Sequence, residues 1–137
     1  MNKTSDEAFE LAKAIAEKVG SDNSVEVLIC PTFTALESAL RGLGSSNVKL
    51  GAQNLYPKAS GAYTGEISAE MLRALHCTYV ILGHSERRQY FKESDEFINE
   101  KVKVALAANL KPILCVGETL AQREANETIA VIKAQVE

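Results

Sequence analysis

Four short apolar runs constrain this chain more than any other feature: Val25–Cys30, Val48–Gln53, Tyr79–Gly83 and Pro112–Gly117. Most are nearly continuous in apolar residues rather than alternating. That is the pattern of strands covered on both faces of a parallel sheet. Helical patterns separate them. The first carries Ala8, Leu11, Ile15 and Val19 on one face, a second covers about Leu36–Leu43, and a third about Ser68–Leu75. A fourth runs over about Asp95–Asn109 with Ile98, Val102 and Ala105 facing one way, and a last begins near Thr119 and carries Ala125, Ile129, Ile132 and Val136. Thr4-x-x-Glu7, Thr34-x-x-Glu37 and Thr119-x-x-Gln122 each fit a capping box, in which two side chains satisfy otherwise unpaired N–H groups of a first helical turn. The expected order is a helix followed by four strand–helix units.

The expected fold class is therefore α/β, with residues 1–137 forming a single unit that no linker divides. The apolar runs start 23 to 33 residues apart. A (βα)8 barrel of about 250 residues averages about 31 per unit. A small doubly wound sheet accommodates the same four units. At the ends, no apolar run precedes the first helix, and the last pattern is still periodic at Val136. A cut chain is the expectation, a frayed terminal helix the alternative.

Charge and cysteine content narrow the function classes. Fifteen Lys+Arg against eighteen Asp+Glu give a net charge of −3, without the basic excess of a nucleic-acid binder. No apolar run approaches the roughly 20 residues of a membrane span, and the polar, then acidic start is not that of a signal peptide. Cys30, Cys77 and Cys115 are odd in number and widely spaced, which suits a reducing compartment, so a cytoplasmic location is expected. Two distant histidines make no metal cluster, and neither a G-x-G-x-x-G nor a Walker loop occurs.

Parallel α/β folds place their chemistry at the carboxyl ends of strands. The densest polar cluster there is Gly83-His84-Ser85-Glu86-Arg87-Arg88. A helical turn after His84 would aim N–H groups at the ring and favour a neutral, hydrogen-bond-donating imidazole. Glu86 and the two arginines are expected to form a charge network that fixes the loop. The plainer reading is a polar loop histidine beside a solvated ion-pair cluster. His76, Cys30 and Cys115 read as structural. The stretch Tyr56–Glu66, with its exposed tyrosines, is either a protruding binding loop or a solvated surface loop.

Four segments occur in one order at one spacing: Gly51-Ala52-Gln53-Asn54, Gly61-Ala62-Tyr63-Thr64-Gly65-Glu66-Ile67-Ser68, Leu82-Gly83-His84-Ser85-Glu86-Arg87-Arg88 and Cys115-Val116-Gly117-Glu118. This series closely resembles the triosephosphate isomerase family. The resemblance implies a TIM (βα)8 barrel, of which this chain would hold strands two to five with surrounding helices. It implies a homodimer that interconverts dihydroxyacetone phosphate and glyceraldehyde 3-phosphate in glycolysis and gluconeogenesis, without a cofactor. The family is the standard illustration of a glutamate base working with a neutral histidine. By motif match, His84 is that electrophile and Glu86 a supporting glutamate. Thr64 is the tip of the loop that reaches the partner subunit, Gln53 lies near that contact, and Cys115 is a buried structural cysteine. Met1-Asn2 matches a Met-Asn that follows the family's catalytic lysine, so Lys3 is not that lysine. No Ala-Tyr-Glu-Pro-like segment carrying the base is present, nor are the glycine-rich phosphate loops. The chain alone is expected to be marginal, self-associating or partly molten, and inactive. Either it is part of an enzyme, completed by further sequence or by a complementary barrel fragment, or it is a non-catalytic half-barrel module.

Overall fold

The computed structural model describes residues 1–137. Helix α1 (Ser5–Val19) opens on the expected cap: the Thr4 N–H donates to the Glu7 carboxylate at 2.7 Å. Strand β1 (Leu28–Ile29) leads through a 3-10 turn, Phe33–Ala35, into α2 (Leu36–Leu43). Then follow β2 (Lys49–Ala52), α3 (Ala69–Ala74), β3 (Tyr79–Leu82), α4 (Ser85–Phe91) and α5 (Asp95–Ala107). Strand β4 (Lys111–Leu114) precedes two short helices, α6 (Leu120–Glu124) and α7 (Thr128–Val136). Helices α1 and α2 cross closely because Gly42 has no side chain; a Cβ there would lie 2.5 Å from the Phe9 carbonyl.

All four strands are parallel and stand in the order β1-β2-β3-β4. A doubly wound sheet reverses direction at a switch point. This sheet winds one way only, as a sector of a barrel does. Register then assigns the faces. Leu50, Ala52, Val80 and Leu82 point outward and are fully or almost fully buried with Leu36, Leu43, Leu55, Leu72, Ala105 and Leu110. Gly51 pairs with Tyr79 and Ile81 with Ile113, which places these residues on the opposite, inner face. That face is half open: Tyr79 and Ile81 are half-buried, and Ile113 is exposed. The expectation that both faces are covered holds only for the helix side of β2 and β3; on β4 the outward Leu114 is exposed as well.

Three local differences stand out. Strand β1 is shorter than its apolar run: only Leu28 and Ile29 pair with β2, and Val25 stays exposed. The Thr34–Glu37 capping box does not form: Thr34 lies inside the 3-10 turn, whose first bond runs from the Ala35 N–H to the Thr32 carbonyl at 3.0 Å. The last helical pattern is broken in two by Asn126, which adopts φ 60° at little cost because its short polar side chain tolerates the left-handed region. Helix α7 buries none of its residues, and Ile129 and Val136 are exposed. No helix is long and apolar enough to cross a membrane.

Cys77 is buried, whereas Cys30 and Cys115 are half-buried, so Cys115 is less enclosed than expected. Burial pushes the Cys30 and Cys77 thiols up to about 11 from an ordinary 9.0. The folded chain therefore holds protons that the unfolded chain releases above pH 9. Stability from this source is complete below pH 9 and is lost as pH rises through about 11. Urea midpoints measured from pH 8 to pH 11 should fall, and Cys77→Ala should flatten that fall. An equal slope in the variant would refute this source.

Candidate active site at the carboxyl ends of the strands

The strand ends gather the residues singled out by sequence. Gln53 is exposed just past β2, and its side-chain amide donates to the Cys30 carbonyl at 2.9 Å, tying the ends of β1 and β2. Beyond it, the Tyr56 N–H donates to the Ile67 carbonyl at 2.9 Å and closes the base of the long loop. Tyr56 is half-buried against Tyr63 and Phe97, with ring centroids 4.7 and 5.8 Å away, so it is not the exposed tyrosine expected. Thr64 stands exposed at the far side of this braced loop.

His84 follows β3 and caps α4. Gly83 makes the turn possible: its φ is 73°, and a Cβ would lie 3.1 Å from the Cys115 carbonyl. The Glu86 N–H donates to His84 Nδ1 at 3.2 Å. An accepting Nδ1 carries no proton, so the neutral ring bears its hydrogen on Nε2 and can donate there. The ring lines a hollow of about 400 Å³ with Met1, Gln53, Asn54, Ile81 and Glu86.

The arginines do not pair with Glu86, contrary to expectation. Glu86 is largely solvated, its carboxylate 3.7 Å from His84 Nδ1. Arg87 instead pairs with Glu93 at 2.8 Å, and Arg88 pairs with Asp95 at 2.5 Å. Both partners lie beyond α4, because the turn at Lys92 (φ 56°) brings the chain back under the site. Glu93 also accepts from Lys101 Nζ at 2.5 Å, and Lys101 donates to Asn54 Oδ1 at 2.9 Å. Lys101 is 1% exposed. Burial pushes its ammonium below the ordinary lysine range, and Glu93 opposes that shift.

This buried network sits beneath the hollow, and sequence reading passed it over. Its signal was present: Lys101 falls between Ile98 and Ala105 on the apolar stripe of α5, where a cation needs a partner. After β4, the Glu118 carboxylate accepts from Arg123 and from the Thr128 hydroxyl at 3.3 and 3.1 Å. The remaining candidates stay apart. His76 is exposed in the turn between α3 and β3 at φ 59°, and Lys3 is exposed ahead of α1 at φ 68°. No group of His, Cys, Asp or Glu side chains is arranged to hold a metal ion.

The family model described as triosephosphate isomerase matches residues 1–137. Curated triosephosphate isomerases from Endomicrobium trichonymphae and Alkaliphilus oremlandii are each 54% identical over 136 residues, covering 99% of this chain and 54% of theirs. A crystal structure of triosephosphate isomerase from Bartonella henselae superposes with a TM-score of 0.91 at 41% identity, covering 99% of this chain and 55% of that one. The chain spans about half the length of the curated relatives it matches.

Proposed function

The chain belongs to the triosephosphate isomerase family, and from that premise we propose that it supplies the electrophilic side of an isomerase site acting on dihydroxyacetone phosphate and glyceraldehyde 3-phosphate. The observation that carries this reading is the bond from the Glu86 N–H to His84 Nδ1, which leaves Nε2 as the donor on a ring that lines the hollow. Removing a proton from the carbon beside the carbonyl leaves negative charge on the carbonyl oxygen until the proton is returned to the neighbouring carbon. A neutral imidazole N–H within hydrogen-bond reach stabilises that enediolate without first giving up its proton. Glu86 supports the site by presenting its backbone N–H and placing a carboxylate beside the ring.

Two further roles belong to the same proposal. The braced loop carrying Thr64 meets a second subunit near Gln53, in a homodimer. The setting is the cytoplasm, which the unpaired cysteines suit.

The test joins these residues to the remaining half of a curated relative and measures turnover. The fusion should isomerise triose phosphates, and His84→Gln should lower kcat by about 10²- to 10³-fold, the usual effect of losing one preorganised donor. A folded fusion whose turnover ignores His84→Gln would overturn the proposal.

A further inference from the structure

Tyr79 stands on the open inner face of the sheet, at the end of the strands opposite His84, and its side chain reaches both outer strands. Its hydroxyl donates to the Glu26 carboxylate, just ahead of β1. The same oxygen accepts from Lys111 Nζ, at the start of β4, at 3.2 Å, and that ammonium lies 5.1 Å from the centre of the tyrosine ring. A hydroxyl has one proton to give and lone pairs to receive others. Receiving from Lys111 leaves its own proton free for Glu26.

The reach from β3 to Glu26 passes over β2. Gly51 pairs with Tyr79 there, and a Cβ on Gly51 would lie 3.1 Å from Tyr79 Cβ and 3.2 Å from Leu28 Cδ1. Neighbouring strands run about 4.8 Å apart, so β1 and β3 would stand about 10 Å apart in a flat sheet. On a concave face their side chains lean together and the gap between them narrows. The bond between Tyr79 and Glu26 therefore favours the curved sheet. It also acts where the ladder is shortest: only Leu28 and Ile29 of β1 pair with β2. Glu26 adjoins Val27, whose carbonyl accepts from the Lys49 N–H at 2.8 Å.

We propose that Tyr79 is an inner strut of the sheet: its hydroxyl, oriented by Lys111 and passing over Gly51 to Glu26, holds β1 against β2. The strut is a conformational device of the fold and stands apart from the isomerase reading.

The experiment is amide hydrogen exchange in the 137-residue chain, under conditions where the rate reports the opening equilibrium. The Lys49 N–H reports opening between β1 and β2, and the Cys115 N–H, which donates to the Leu82 carbonyl at 2.8 Å, reports β3 and β4. Tyr79→Phe keeps the ring and removes the hydroxyl. It should speed exchange at Lys49 by about 2- to 10-fold, the usual worth of one hydrogen bond, and leave Cys115 unchanged. Glu26→Ala should do the same, and the double variant should exchange no faster than either single one, because both remove one shared bond. An unchanged Lys49 rate in Tyr79→Phe overturns the proposal. So do additive effects in the double variant, equal acceleration at Lys49 and Cys115, or a Lys49 amide already unprotected in the unsubstituted chain.

Discussion

Purified free of host enzyme, these 137 residues alone should interconvert triose phosphates at least about 10⁴-fold more slowly than a complete relative. A positioned proton-transfer group contributes roughly 10²–10⁴-fold and one electrostatic donor roughly 10²–10³-fold, so absence of both a base and a cationic partner costs about 10⁴–10⁷ before non-additivity. Among the side chains around the hollow, Arg87 is already paired with Glu93. Glu86 lies beside the ring but is largely solvated, and Lys3 is exposed ahead of α1. A coupled assay with His84→Ala as control decides the matter. Turnover above that level that disappears in the variant would refute the prediction.

Glu93→Ala should be the most damaging single substitution in the chain. It strips the only carboxylate from Lys101 and Arg87 together, leaving a cation that is 1% exposed with one amide oxygen and the face of Phe97, 4.7 Å away. Breaking a buried pair from one side costs about 3–5 kcal/mol. That is a large share of the 5–15 kcal/mol typical of a whole domain. Lys101→Met should cost less, because Glu93 keeps Arg87. The double variant Glu93→Ala/Lys101→Met should be more stable than Glu93→Ala alone, since it removes the stranded charge. Urea unfolding of all four proteins tests this order. Strict additivity would show that the pair is not coupled.

The sequence conveyed the elements whose signal is local. Continuous apolar runs located all four strands, and the Thr4 and Thr119 boxes formed because their partners lie three residues away. Where a neighbour decides, the signal failed. Thr34 lost its cap to a 3-10 turn, and Asn126 divided a pattern whose apolar spacing ran across the break. The inner face read as buried because continuous apolar runs do not say how many strands stand opposite. His84 was legible from its place after an apolar run, but its tautomer required the Glu86 N–H distance. The arginines were seen and their partners were not. Glu93 and Asp95 lie beyond a left-handed turn at Lys92 that no residue type announced.

The one-way strand order also bears on how the chain acquires its shape. Each strand pairs only with its neighbours in the sequence, and the paired residues lie 21 to 32 positions apart. Each pairing must close a loop of that length before it is rewarded, but none waits for a strand more than one unit away. Each unit can therefore dock as it leaves the ribosome, on a template already formed by the unit before it.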